Sequence, residues 1–306
     1  TPAQGLYLWG GVGRGKTYLM DLFYEQLPFR RKMRVHFHRF MQRVHKDLAD
    51  LQGTKDPLTA VAERIHDEAV VICFDEFFVT DIADAMILGG LFEALFARGV
   101  TLVATSNIVP DRLYENGLQR QRFLPAIAMV KQFCRVLNVD SGVDYRLRVL
   151  EQAELYHSPL GEAANASLAN SFRGITHGQV VLHAPIDIND RLVEVICRTD
   201  DVLMCRFSEL CEKPRSAHDY IEIAREYHSV VLADVPALGA SNDDAARRFI
   251  NLVDEFYDRS VKLIIAADRP ILALYSEGRL SFEFQRTQSR LQEMQSRDYL
   301  AREHRP

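Results

Sequence analysis

The sequence predicts an α/β fold in which a parallel sheet is flanked by helices, and three observations predict it. In LYLWGGVGRGKTYLMDLF (residues 6–23), Gly10, four residues and then Gly15-Lys16-Thr17 stand between a short apolar run and apolar residues at helical spacing. In VVICFDEFFVTD (70–81), a continuous β-branched run of the kind buried in a parallel sheet ends on two adjacent acids. Further apolar runs alternate with helically periodic stretches to the end of the chain. A glycine-rich turn from strand to helix, followed by a strand ending in acids, is the grammar of a P-loop NTPase.

The first element is a strand over Gly5 to Trp9, and the next is a helix over Thr17 to Leu27 with Leu19, Met20, Leu22, Phe23 and Leu27 at helical spacing. Between them Gly10, Gly11, Val12, Gly13, Arg14 and Gly15, with Lys16, Thr17 and Tyr18, form the expected nucleotide cradle. Glycines let the backbone curl so that its N–H groups, joined by the helix N-terminus, face an anion. Lys16 is expected to reach the β- and γ-phosphates of ATP, and the Thr17 hydroxyl to bind Mg²⁺.

MRVHFHRFMQRVHKDL (33–48) reads as a strand through Met33 to His38 and then a helix with Val44 and Leu48 facing inward. The apolar pair Phe40-Met41 at the junction admits two readings: a tip gripping substrate in the pore of a ring ATPase, or core packing. His36 and His38 alternate on the predicted strand with no third ligand nearby in the sequence, and are read as ordinary strand residues.

The strand Val70 to Phe74 ends at Asp75 and Glu76. Open α/β sheets bind ligands at the carboxyl ends of their strands, so Asp75 is expected to hold Mg²⁺ through its water shell and Glu76 to polarise the attacking water. A third strand, VTLVATSN (100–107), ends on Asn107, which is read as orienting that water or sensing the γ-phosphate. In RLYENGLQRQRFLPAI (112–127), Gly117 is placed to stop a helix. Arg120, with Arg122 as its competitor, is the candidate finger completing a neighbouring subunit's site.

Composition bounds the function. The 306 residues, 47% hydrophobic and 26% charged, allow one large or two moderate domains with ample core. Net charge near −5 argues against broad nucleic-acid binding, although Arg30-Arg31-Lys32 with Arg34 forms a small basic patch. Five cysteines fit no metal spacing and read as reduced thiols. No run has the length of a membrane span. The first residue is not Met, so trimmed native N-terminal sequence is expected; the compartment is read as cytoplasmic, or as mitochondrial if the trimmed part held a transit peptide.

The C-terminal half echoes the first. SVVLADVPAL (229–238) parallels AVVICFDEFF (69–78), and LVDEFYDRSVKLIIAADRPILALYSEG (252–278) parallels LFEALFARGVTLVATSNIVPDRLYENG (91–117). Asp75 to Asp234 is 159 residues, and Asn107 to Asp268 and Tyr114 to Tyr275 are each 161, which suggests a degenerate internal repeat. This half has no GxxxxGKT and has Val235 in the place given to Glu76, so it is expected not to hydrolyse nucleotide. Arg286 and Arg290, in rough register with Arg120, are further sensor candidates. The expected division is a nucleotide-binding domain over 1–156, a connector over 157–178 and an α/β domain over 179–306.

Taken together, GLYLWGGVGRGKTYLMDLF, RVHFHRFM, CFDEFFVTDIADAMILGGLFEALFARGVTLVATSN, GLQRQRFLPAI, FSELCEKPRSAHDY and FINLVDEFYD make the chain resemble the ZapE family of AAA+ ATPases, with its mitochondrial AFG-type relatives. The resemblance implies Mg-ATP hydrolysis, homo-oligomeric rings and action on protein partners. In bacteria these are at the division machinery, including its tubulin-like ring protein, in the cytoplasm; in mitochondria they are inner-membrane respiratory subunits. Lys16, Thr17, Asp75, Glu76, Asn107 and Arg120 occupy the family's motif positions. A nucleic-acid-linked ATPase such as a helicase loader is the alternative, and a small-molecule phosphotransferase a third class.

Overall fold

The computed structural model of the chain describes residues 3–11, 15–139, 145–176 and 179–305. It divides into two compact units, 1–143 and 144–306. Among the described residues no helix is long and apolar enough to cross a membrane.

The first unit runs β1 (Gly5–Trp9), α1 (Lys16–Gln26), β2 (Lys32–His36), α2 (Phe37–Asp50), α3 (Pro57–Glu68), β3 (Val71–Asp75), α4 (Ile82–Ala97), β4 (Thr101–Ser106), α5 (Leu124–Phe133) and β5 (Cys134–Asn138). Its sheet has the order β2-β3-β4-β1-β5 with every pair parallel. β3 and β4 are buried along their whole length, as continuous apolar runs between helical layers must be. β1 enters the sheet at Gly5, where a Cβ would lie 1.9 Å from the Leu102 carbonyl oxygen, so only glycine fits.

An aromatic cluster fixes the helices that follow β2 and β3. Phe37 packs edge-on to Phe77 with centroids 4.6 Å apart, and Phe40 lies 4.7 Å from Phe74. Phe40 and Met41 are therefore buried in the core, which corrects the pore-tip alternative. β2 ends at His36, so His38 belongs to the first turn of α2 and does not alternate with His36 on a strand. No helix runs up to Gly117: the 3₁₀ turn Pro110–Arg112 ends five residues before it, Gly117 sits in a turn, and Tyr114, whose ring would lie 2.3 Å from a Cβ at Gly117, covers it. On α1, Met20 is buried whereas Leu19 and Leu22 are exposed. Phe77→Ala removes a fully buried ring at the centre of this cluster, and a loss of about 3–5 kcal/mol is expected in denaturant unfolding. A loss below about 1 kcal/mol would mean that the cluster collapses around the gap.

The second unit runs α6 (Tyr145–Gln152), β6 (Tyr156–His157), α7 (Glu162–Ile175), β7 (Val181–Leu182), β8 (Ile186–Ile188), β9 (Arg191–Val193), β10 (Cys197–Arg198), β11 (Val202–Arg206), α8 (Ala217–Glu226), β12 (Ser229–Val235), α9 (Asp243–Asp258), β13 (Lys262–Ala267), α10 (Ser281–Glu293) and α11 (Arg297–Leu300). β8 and β9 form a separate hairpin, and the main sheet has the order β6-β13-β12-β11-β10-β7. Its first four strands are parallel, and β10 and β7 are added antiparallel.

The parallel part, β11-β12-β13-β6, repeats the order β2-β3-β4-β1 of the first unit. From α4 and α9 onward the two copies keep a constant register of 275 − 114 = 161 residues. Gly99 and Ser260 both end their helices with positive φ, 82° and 57°. Val100 N–H then donates to Leu95 O (3.1 Å), and Val261 N–H to Phe256 O (2.9 Å). Tyr114 packs on Phe123 at 5.7 Å, and Tyr275 on Phe284 at 5.0 Å. Gly278 lies under Tyr275 as Gly117 lies under Tyr114.

The strand before those helices is offset differently. β3 pairs Phe74 with Ala104, and β12 pairs Leu232 with Ile265, so this strand is shifted by 232 − 74 = 158 residues. Ala233 is then the counterpart of Asp75, and Asp234 that of Glu76, correcting the match of Asp75 with Asp234. Glu76 and Asp234 share the left-handed backbone, φ 52° and 61°. In the 161-residue register Ser281 stands in the place of Arg120, while Arg286 and Arg290 lie further along α10 and both bind Asp254. Between β6 and α7, residues 158–161 replace the long glycine loop, and α7 opens on Glu162 where α1 opens on Lys16.

Candidate active site

The site of the first unit lies at the carboxyl ends of β1, β3 and β4. β4 anchors both neighbours there. Gly10 N–H donates to Ser106 O (3.2 Å), holding the start of the glycine loop. Phe77 N–H donates to Thr105 O (2.7 Å), Glu76 N–H to Thr105 Oγ1 (3.2 Å) and Ser106 Oγ to Phe77 O (2.8 Å), holding the exit of β3. The left-handed φ at Glu76 turns the chain sharply off the strand, an arrangement that β-region residues cannot make.

In the loop, Gly15 takes φ 85° and forms the N-terminal boundary of α1 without a side-chain cap, and the first turn of α1 carries no acid. The helix N-terminus thus offers uncapped N–H donors and the positive end of its dipole to an anion. Lys16 is buried, and its ammonium donates to the carbonyls of Gly10 and Gly11, 2.6 Å each. Thr17 is half-buried behind it, and Tyr18 is exposed. Val12, Gly13 and Arg14 lie outside the described residues.

Asp75 is buried at the end of β3, where Arg34 grips it with one edge of its guanidinium, Nε to Oδ2 at 2.7 Å and Nη2 to Oδ1 at 3.3 Å. The Thr17 hydroxyl and the Asp75 carboxylate are hard oxygen donors, which suits Mg²⁺ or another hard cation. Asn107 is half-buried, directly beyond the last residue of β4.

Arg120 occupies the 3₁₀ turn Arg120–Arg122. Its Nη2 donates to Asp111 O (2.6 Å), and among the described residues it makes no hydrogen bond or ion pair with Asp75 or Glu76. Its Nε is buried without a partner among those residues. Arg122 is exposed and reaches Gln119. Leu118 and Leu124, either side of the turn, are exposed.

Sequence reasoning missed Thr105, Ser106 and Arg34. Two hydroxyl residues ending an otherwise apolar strand were the available signal for the first pair. The sequence groups Arg34 with a surface basic patch, but three of the patch's four cations hydrogen-bond within the chain: Arg34 to Asp75, Lys32 Nζ to Tyr24 O (2.6 Å) and Leu27 O (3.0 Å), and Arg31 to His66 O, whereas Arg30 is exposed. All five cysteines are free and buried; burial pushes the Cys73 thiol up to about 12, with the Asp75 charge adding to it, so it is a packing group and no nucleophile.

The family of AFG1-like ATPases matches residues 1–303. The chain is 56% identical over 304 residues to the cell division protein ZapE of Escherichia coli K12, covering 99% of this chain and 81% of that protein. It is 39% identical to lactation elevated protein 1 homolog B of Danio rerio, over 97% of this chain and 68% of that protein. Among solved structures it is similar to domain III of the Thermotoga maritima replication initiation protein DnaA, at 18% identity and a TM-score of 0.36, covering 54% of this chain and 67% of that one. With nearly its whole length matched, and with a phosphate loop and acid-tipped strand in one parallel sheet, the chain belongs to the AFG1-like ATPase family.

Proposed function

We propose that the first unit hydrolyses Mg-ATP within a homo-oligomer and that the second, which lacks a phosphate loop, serves as an α/β partner-binding or packing domain. The observation that carries this is the meeting of the Lys16 loop and the Asp75-Glu76 strand end on β4. Lys16 leaves the loop carbonyls for the β- and γ-phosphate oxygens, and the loop N–H groups hold the rest of the chain of phosphates. The Thr17 hydroxyl, and Asp75 through the metal's water shell, would hold Mg²⁺, which would neutralise charge on the phosphates. Glu76 accepts a proton as water attacks the γ-phosphorus and ADP leaves, with Asn107 orienting that water. Arg120, flanked by exposed leucines, meets the γ-phosphate of a neighbouring subunit.

The similarity to a division protein supports a protein partner in bacterial cell division, with the tubulin-like ring protein as a candidate and the cytoplasm as the compartment. The internal bonds of Lys32 and Arg34, together with the net charge near −5, speak against nucleic acid as the partner.

Lys16→Ala should weaken binding of a fluorescent ATP analogue by roughly 10- to 100-fold, from the about 1.5–3 kcal/mol of charged hydrogen bonds lost. Unchanged affinity would remove the phosphate-loop assignment. The wider proposal is tested by ATPase rate per subunit against protein concentration, alongside molar mass by light scattering. Rate rising with assembly supports shared sites, and full activity from a strict monomer overturns them.

A further inference from the structure

We infer that Arg34 is a positioning residue that sets the spacing of the two magnesium-binding groups, the Thr17 hydroxyl and the Asp75 carboxylate acting through the metal's water shell; its role rests on their assignment above. Arg34 lies at the middle of β2, in register with Cys73. Besides its two bonds to Asp75, its Nη1 donates to Asp21. Asp21 follows Thr17 by four residues on α1, one turn along the same face. One guanidinium therefore ties the helix that carries the first ligand to the strand that carries the second. The three side chains are only 14%, 13% and 8% exposed, so the bridge is shielded from water.

Only arginine suits this place. Its planar fork serves two carboxylates at once, whereas a lysine ammonium is a single point charge on a flexible stem. A lysine in this place cannot reach both shielded carboxylates as the fork does, so one of the two ties is lost and α1 moves relative to β3. Mg²⁺ demands near-ideal octahedral geometry, so such a shift falls on the metal; the phosphates, held mainly by the loop backbone and Lys16, feel it less. General attachment of α1 does not depend on Arg34, because Lys32 separately binds Tyr24 O and Leu27 O and Met20 is buried beneath the helix.

The test is binding of a fluorescent ADP analogue to the full chain, first in chelator and then as Mg²⁺ is titrated in. Arg34→Lys is expected to keep the metal-free affinity within about twofold and to raise the Mg²⁺ midpoint by about 10- to 100-fold, the usual cost of losing a group that orients a metal ligand. Asp21→Asn cuts the bridge from the helix side and should shift the midpoint in the same direction, by less. An unchanged midpoint in a folded Arg34→Lys protein overturns the inference, as does an equal loss of affinity with and without Mg²⁺, which would mark a purely structural staple. If Arg34→Lys fails to fold, the Asp21→Asn midpoint decides by the same criterion. Thr17→Ala separates the two levels: if it leaves the midpoint unmoved, the ligand assignment itself fails; if it moves the midpoint and Arg34→Lys does not, only the role of Arg34 fails.

Discussion

Glu76→Gln is expected to bind ATP with the affinity of the parent protein and to hydrolyse it about 10²- to 10⁴-fold more slowly. The substitution preserves shape. Glutamine keeps the side-chain length, and the backbone bond from residue 76 to Thr105 Oγ1 and the left-handed turn at φ 52° involve no carboxylate. What it removes is a carboxylate that can take the proton of the attacking water. Single-turnover phosphate release, measured beside equilibrium binding of ATP, separates the two effects. Turnover within about threefold of the parent would put the base elsewhere, since positioning alone cannot replace a group worth that much. Asp234→Asn is the internal control: it sits at the matching left-handed corner of the second unit, beside Ala233 in the place of Asp75, and should leave the rate unchanged.

The contrast between Glu76 and Asp234 also marks what a sequence can disclose. The loop and its Lys-Thr pair were legible because phosphate geometry imposes their spacing, and β3 because a doubly covered strand must be apolar until it ends. The equivalence of Asp234 was off by one residue because the eye matches aspartate with aspartate, whereas strand register is set by the neighbour: three more residues separate strand from helix in the second copy, and only pairing to β13 reveals it. Arg34 and Thr105 were invisible for a related reason. Their partners lie on strands adjacent in space, 41 and 29 residues away in sequence, and no periodicity reports sheet order. Phe40-Met41 was ambiguous because an apolar pair after a strand has the same composition facing a pore or a core. The early end of β2 at His36 decided it, by rotating both side chains onto Phe74 and its neighbours.

Arg120→Ala is expected to cost about 10³- to 10⁵-fold in ATPase rate if Arg120 is a finger acting across subunits, the range seen when such an arginine is supplied or withheld. Among the described residues Arg120 makes one hydrogen bond, to the Asp111 carbonyl, and its Nε is buried without a partner, so its removal takes little from the fold of its own chain. A loss of that size could not then come from folding, and a melting temperature close to that of the parent would verify this. The decisive experiment mixes Arg120→Ala subunits with Lys16→Ala subunits. Each is inactive alone, one lacking the finger and the other the phosphate grip, but a head-to-tail contact can join an intact loop to an intact arginine. In a randomly mixed ring at equal ratio about one interface in four is complete, so activity should return to roughly that fraction and fall away on either side. Absence of recovery at every ratio, with assembly verified by light scattering, would exclude a trans role for Arg120. Recovery with Arg122→Ala in its place, and none with Arg120→Ala, would move the finger two residues along the same turn.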